Sequence, residues 1–263
     1  MSTLYLIEQR TILRKTSDRL RLCRFRTPQQ RKSHVTQGDI LLEIPCANID
    51  HVMLFGNVQV TTQALHELLE HGIELAIFSF SGRLIGQLTP PKTKNILLRM
   101  AQYDRHQDVD FCLKFGKEII TNKINDMAKN LRNHRKRFPN SFSLQQVKAI
   151  EQFLMKVKGA KTAEELLGYE GAASAAYFGL FGNMVLPPWK FVTRTRRPPK
   201  DPVNAVLSFG YVVLGSEIQA LLDGIGFDPY LGFYHVAHYG RPSLALDLLE
   251  EFRHSVIDRL ALR

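Results

Sequence analysis

Cysteine is scarce in this chain: there are three in 263 residues, at Cys23, Cys46 and Cys112. They lie far apart and no pair has zinc or redox spacing, which argues against a disulfide framework and for reduced thiols inside a cell. No uninterrupted apolar run is long enough to cross a bilayer. Residues 1–8 meet an acid and then arginines too early for a secretory signal. The expectation is a soluble, cytoplasmic protein with no membrane partner. Internal repeats and low-complexity tracts are missing, as are a glycine-rich phosphate loop, a serine-centred elbow and an HExxH zinc pattern. Enzyme classes that announce themselves by those motifs are set aside.

Positive charge is what the chain does have. Lys and Arg number 35 against 25 Asp and Glu, a formal charge of +10, with a pI of about 9.6. That excess favours a polyanionic partner, nucleic acid before membrane, and says nothing of fold. The basic residues gather in three places. One set (Arg10, Arg14, Lys15, Arg19, Arg21, Arg24, Arg26, Arg31 and Lys32) is N-terminal, and a second (Lys129, Arg132, Arg135, Lys136 and Arg137) ends a helical pattern. The third (Lys190, Arg194, Arg196, Arg197 and Lys200) fills a proline-bounded loop. Each alone fits a solvated face, and the second also complements a helix dipole. Together they fit phosphate contacts that position DNA without reading its sequence.

The hydrophobic pattern changes once. Residues 3–7, 11–13, 20–25, 40–44 and 49–54 are short β-branched or alternating runs that read as strands. Residues 27–38 read as a long exposed hairpin loop, and Thr61 and Thr62 cap a short helix that stops at Gly72. A hairpin over 75–88 closes this part. After the Thr89-Pro90-Pro91-Lys92 break, helical periodicity covers 96–103, 110–137, 144–157, 163–167, 170–181, 202–222 and 242–262. Strands first and helices afterwards predict an α+β protein: a small β-rich N-terminal domain (1–88), a linker (89–95) and an all-helical C-terminal domain (96–263).

One stretch near the end carries chemistry. Gly232, Gly240 and Pro242 bracket a loop with His235 and His238, and Pro242 and Ser243 open and cap a helix. Ala245, Leu249, Phe252, Val256 and Leu260 line one face of that helix, and Asp247, Glu250 and His254 the opposite face. The plain alternative is that these acids face water. A histidine loop leading into an acidic face also suits a divalent metal, and a metal near basic surface suits phosphate chemistry. Glu170, followed by Gly171-Ala172-Ala173-Ser174-Ala175-Ala176, opens a small-residue helix that backbone or substrate can approach. The alternative there is tight packing with a first-turn acid. Asp201 before Pro202 starts another helix, whose Asn204 and Ser208 read as internal hydrogen-bonding groups.

Four runs together resemble the CRISPR adaptation integrases, the "Cas one" family. They are Ile44-Pro45 through Ile49-Asp50 to Leu54-Phe55-Gly56; Leu167-Gly168-Tyr169-Glu170-Gly171 with Tyr177-Phe178; Asp201-Pro202-Val203-Asn204-Ala205 with Leu207-Ser208-Phe209-Gly210-Tyr211; and Gly232-Phe233-Tyr234-His235 to Glu250-Glu251-Phe252-Arg253. The resemblance implies a homodimer joined mainly through the N-terminal domain and a catalytic C-terminal domain. It implies metal ligation by Glu170, His235 and Glu250, with Asp247 as a supporting acid; His238 is left out. Two carboxylates and an imidazole suit Mn2+ or Mg2+, the nitrogen favouring Mn2+. The expected reaction is attack of DNA 3′-hydroxyls on a phosphodiester, inserting short spacers into a repeat array, with hydrolysis of branched or single-stranded DNA at the same site. No protein nucleophile is then required. Arg194, Arg196, Arg197, Arg241 and Arg253 are the expected DNA contacts. A small ferredoxin-like companion, "Cas two", is the expected partner. Residues 27–38 lengthen the first hairpin, and the chain stops soon after the motif helix, so a shortened C-terminus is expected. The rival reading is a non-catalytic, basic DNA-binding scaffold; a basic structural protein would neither bind nor cut.

Overall fold

The computed structural model describes residues 2–25, 40–89 and 95–263. The expected loop at 27–38 and most of the expected linker lie outside them. The chain divides into two compact units, residues up to Lys94 and residues from Asn95.

The first unit holds two four-stranded sheets. In one, β1 (Thr3–Leu6), β5 (His51–Phe55), β7 (Glu74–Phe78) and β8 (Leu84–Leu88) lie side by side in that order. In the other the order is β4 (Ile40–Pro45), β3 (Arg19–Arg24), β2 (Thr11–Thr16) and β6 (Val58–Val60). Alternation sends Leu13, Leu20 and Leu22 inward with Leu6, Val52, Leu54 and Leu75 to one core. Helix α1 (Thr62–Glu70) covers it through Ala64 and Leu68. Its N-cap is Thr61, whose hydroxyl accepts the Ala64 N–H. Strand β6 has no counterpart in the sequence pattern: three residues are too few for a period.

The second unit is helical. Helices α2 (Ile96–Gln107), α3 (Val109–Arg137), α4 (Leu144–Gly159), α5 (Ala163–Phe181) and α6 (Pro202–Ile225) precede α7 (Ser243–Phe252). A π-helical turn at Arg253–Asp258 and a last short helix, α8 (Arg259–Ala261), follow it. Ile120, Ile124, Met127 and Leu131 of α3 meet Ile150 and Val157 of α4 and Leu166, Tyr177 and Phe181 of α5 in one core.

Three expectations are corrected here. The runs at 163–167 and 170–181 are one helix, α5, so Glu170 is mid-helix and not in a first turn. Gly168 between them costs only about 1 kcal/mol in a helix, too little to break one anchored by Leu166, Ala173 and Tyr177. Ser243 makes no cap hydrogen bond; it is buried, and its hydroxyl donates to the Val236 carbonyl (3.2 Å). Helix α6, with 24 residues, is long and apolar enough by length and composition to cross a membrane. Asn204, Glu217 and Asp223 interrupt its run, as expected from the sequence.

The third correction concerns the faces of the last helix. Asp247, Glu250, His254 and Asp258 are buried; of the expected apolar face Ala245 and Leu249 are buried, whereas Phe252, Val256 and Leu260 are exposed. Periodicity separates two faces without saying which is inside, and here partnered acids win the interior. The Asn204 expectation holds. Its amide oxygen accepts Arg194 Nη1 (2.8 Å) and the Thr195 N–H (2.9 Å), and its amide nitrogen donates to the Thr193 carbonyl (2.9 Å). Ser208 Oγ accepts Arg194 Nη2 (3.1 Å).

Two glycines mark how tightly the second unit packs. A Cβ on Gly210 of α6 would lie 2.6 Å from Ile257 Cγ2, while one on Gly168 would meet nothing within 4 Å. Gly210→Val is therefore expected to destabilise the protein by about 1–3 kcal/mol. Gly168→Ala should stabilise it by about 0.5–1 kcal/mol. Urea unfolding of the two variants against the parent checks both signs.

Candidate active site

Helix α3 supplies the first element. Its buried stripe runs Gly116, Ile120, Lys123, Met127 and Asn130–Leu131 at three- and four-residue spacing. Two polar side chains in an otherwise apolar stripe are the signal, and neither is among the residues expected from sequence. Lys123, 4% exposed, sends its ammonium between two carboxylates: Glu170 Oε1 of α5 and Glu250 Oε2 of α7, the latter at 2.6 Å. Ser174 Oγ, one turn along α5, donates to Glu170 Oε1 (3.3 Å). Arg253 Nη2 lies 3.1 Å from the other oxygen of Glu250. Burial opposes ionisation of Glu250, but the Lys123 and Arg253 charges outweigh it and hold the carboxyl at about 2.

The histidine loop is built on Asp247. Fully buried in α7, it accepts the Phe233 and Tyr234 N–H groups on Oδ2 (2.7 and 3.0 Å) and the His235 N–H on Oδ1 (2.8 Å). His235 Nδ1 lies 2.7 Å from the same Oδ1. A carboxylate only accepts, so Nδ1 carries the proton and Nε2 keeps its lone pair, the arrangement that orients a metal-binding imidazole. Gly232 makes this possible: a Cβ there would meet Asp247 Oδ2 at 2.7 Å and the Ser243 carbonyl carbon at 2.8 Å.

The π-helical turn adds a second histidine. His254 Nδ1 lies 2.6 Å from Asp258 Oδ2, and Tyr211 OH donates to Asp258 Oδ1. Asn130 Nδ2 donates to the His254 carbonyl (2.7 Å), and the Tyr177 ring meets the imidazole edge-on at 4.9 Å. Arg194 and Arg253 stack over Tyr211 at 5.5 and 5.0 Å. Burial, then the Asp258 charge, push the Tyr211 phenol well above its ordinary value.

Some of these groups open on one cavity of about 540 Å³, lined by Lys123, Glu170, Ser174, Arg194, Arg196, Tyr211, Arg253 and His254 among others; Glu250 reaches it only through its pairs with Lys123 and Arg253. Among the described residues, five buried side-chain atoms lack a hydrogen bond. Four belong here: Tyr234 OH, Glu250 Oε2, Arg253 Nε and His254 Nε2. Glu250 Oε2 is close to Lys123 but not in line for a hydrogen bond. Native interiors rarely leave such atoms idle without a functional reason. Glu170 and Glu250 thus offer two carboxylate oxygens around a place now held by an ammonium, and the charge of His235 is among those that lower the Glu250 pKa; two carboxylates and an imidazole are a donor set that fits a divalent cation. They are less tightly drawn together than Cys46, Glu67 and His71, the one trio among the described residues with all ligand atoms within 4.8 Å.

Of the expected DNA contacts, Arg194 is half-buried and committed to Asn204 and Ser208, and Arg253 to Glu250. Arg196 and Arg197 are exposed, and Arg241 is half-buried in the histidine loop.

Comparison with known proteins identifies the family. The family model described as "CRISPR associated protein Cas1" matches residues 4–263. The chain belongs to the Cas1 family. It is 37% identical over 229 residues to "CRISPR-associated endonuclease Cas1 2" of Rhodospirillum rubrum, covering 83% of this chain and 66% of that one. It is 38% identical over 220 residues to "CRISPR-associated endonuclease Cas1 1" of Thermodesulfovibrio yellowstonii, covering 81% and 68%. The chain therefore spans about two thirds of the length of these relatives. Among solved structures, a "Casposase bound to integration product" shares the fold at a TM-score of 0.79 and 24% identity, covering all of this chain and 72% of that one. The "Cas6-RT-Cas1--Cas2 complex" matches at 0.75 and 28% identity, covering 99% and 27%. The Cas1 family's α+β layout, strands first and helices after, is the one observed.

Asp247 holds the loop, so its removal should be felt in stability. Asp247→Ala leaves three backbone N–H groups and an imidazole without their acceptor, a loss on the order of 3 kcal/mol or more. Asp247→Asn, which keeps one carbonyl oxygen, should fall between. Denaturant midpoints of the two variants order the effect.

Proposed function

We propose that the chain is a divalent-metal-dependent DNA integrase and endonuclease of CRISPR adaptation, acting from the helical unit. The observation that carries this reading is the convergence of Glu170 and Glu250 on one cationic position in a cavity walled by Arg194, Arg196 and Arg253. Glu170, Glu250 and His235 Nε2 would hold Mn2+ or Mg2+. Bound there, such an ion supplies charge neutralisation at the attacked phosphate and a lowered pKa for the attacking hydroxyl.

The chain's own groups do the rest. Asp247 fixes the His235 tautomer. Arg253, Arg194 and Lys123 face negative charge as it grows on the non-bridging phosphate oxygens. His254, with its Nδ1 proton committed to Asp258, offers Nε2 as the acceptor for the proton of a DNA 3′-hydroxyl or water. That oxygen bonds to phosphorus as the P–O bond to the leaving strand breaks, and the leaving oxygen takes a proton from solvent. Double-stranded and branched DNA are the expected substrates. Arg197 and Arg241, with the cavity arginines, are the expected contacts to the DNA backbone. The likeness to a chain of the Cas6-RT-Cas1--Cas2 complex supports a Cas2 partner, and the β-rich unit is the expected homodimer surface. The three free thiols fit a cytoplasmic setting.

A second reading has its own observation. Lys123 and Arg253 already balance both carboxylates, as in a scaffold that binds DNA without turning it over. It predicts binding that weakens steeply with salt and no cation-dependent product. Incubation with supercoiled repeat-bearing plasmid and Mn2+ separates the two. Cleavage or strand joining is expected, and Glu170→Ala, His235→Ala and Glu250→Ala should each lower it by about 100-fold or more with far-ultraviolet circular dichroism unchanged. Parent-like activity in all three would refute the assignment.

The His254 role has a separate test. His254→Gln should lower the rate by about 100-fold or more without changing DNA affinity.

A further inference from the structure

The tightest group of metal-binding atoms in the described residues lies outside this cavity, in the β-rich unit. Cys46 opens the 3-10 turn at Cys46–Asn48, which links β4 to β5; Glu67 lies in the last turn of α1 and His71 is its C-cap. Their ligand atoms all lie within 4.8 Å of one another. Glu67 and His71 are four residues apart, so one helical turn puts both on the same face, and the connection between β4 and β5 brings the thiol to them. Cys46 and Glu67 are 2% and 4% exposed, while the His71 side chain is 45% exposed.

Burial, then the Glu67 charge, push the Cys46 thiol above its ordinary value, and a bound ion would displace its proton. His71 Nδ1 lies 2.9 Å from the Glu67 carbonyl and 3.6 Å from Glu67 Oε1, and an ion would take the ring nitrogen that faces the group. Lys15 pairs with the other Glu67 oxygen, and Asp18 and Glu70 add negative charge around the group. The position is also the C-terminal end of a helix, where the backbone carbonyls favour a cation. Lys15 is 39% exposed on a flexible stem, and can move to solvent when a stronger cation arrives.

We propose that Cys46, Glu67 and His71 form a structural transition-metal site that pins the end of α1 to the turn after β4. One thiolate, one imidazole and one carboxylate match Zn2+ in tetrahedral geometry, with water as the fourth ligand. Binding forms the metal–sulfur bond and releases the thiol proton to solvent. Sequence spacing gives no zinc motif, because the thiol is 21 residues from the carboxylate.

Titration of the full chain with Co2+ tests the site. One equivalent should give thiolate-to-cobalt charge-transfer absorption and tetrahedral d–d bands, both removed by Zn2+. Cys46→Ser should abolish the charge-transfer band, and His71→Ala should weaken binding by about tenfold or more. The exposed His71 keeps the test valid should Cys46→Ser fail to fold. Lys15→Gln, which removes the competing ammonium, should tighten binding. Glu250→Ala should leave the spectrum unchanged, so failure at the catalytic cavity and failure here are told apart. Absence of a sulfur band at one equivalent, its survival in Cys46→Ser, or its loss in Cys112→Ser instead would overturn the proposal.

Discussion

Lys123 reaches both Glu170 and Glu250 from the middle of α3, and so ties α3, α5 and α7 at one point. Withdrawing each of these charges from water costs several kcal/mol. Each close pair returns about 4 kcal/mol at the effective dielectric of a protein, so the arrangement comes out near balance. Its value is geometric: any other register of the three helices leaves a charge buried alone. The same balance makes the point responsive to cations. A divalent ion between the carboxylates would match their charge unaided, leaving the Lys123 ammonium and the Arg253 guanidinium to face phosphate.

Asp247 solves a different problem, that of holding a loop rigid without a core of its own. Phe233, Tyr234 and His235 present three successive N–H groups to one carboxylate, which the helix backbone of α7 keeps in place. The imidazole is then oriented by the group that orients its own backbone. The π-helical turn does comparable work one turn on. It brings His254 and Asp258 inward as a pair, and Asn130 supplies the hydrogen bond to the His254 carbonyl. Rigid support of this kind is what positions reacting groups within the few tenths of an ångström that catalysis requires.

Much of this is legible in the sequence, and what is not has physical causes. Strong local signals carry the β-rich unit: the alternation of β2 and β3, the Thr61 cap, and the glycine after α1. Asp201 and Pro202 likewise mark the start of α6. Glu170, His235, Asp247 and Glu250 can be named from motif resemblance, with the role of Asp247 open. Their surroundings cannot. Lys123 reads as an ordinary surface lysine until α3 is laid on its neighbours, although its place in an apolar stripe is a signal in retrospect. The last helix misleads because hydrophobic spacing ordinarily marks the inside. Buried acids with partners complicate that rule: the Lys123 partner of Glu250 lies more than a hundred residues away, on α3, while Asp247 meets the histidine loop and Asp258 meets Tyr211 and His254.

The same logic separates the roles of the cations. Some of the 35 Lys and Arg are paired within the chain: Lys123 with two carboxylates, Arg253 with Glu250, Arg21 with Glu43 and Arg132 with Glu151. Arg194 is held by Asn204 and Ser208 and half-removed from water, where burial lowers its pKa. Such cations cannot follow a moving phosphate; they form fixed walls whose field is strongest where water is excluded. Arg196, Arg197 and Lys200, on the exposed segment beside that wall, keep their hydration and their freedom. Exposed, mobile charges of this sort raise encounter rates and salt sensitivity, whereas the buried ones set geometry. The proline-bounded basic loop thus serves both ends, with Arg194 anchoring it to α6 and its remaining cations reaching outward.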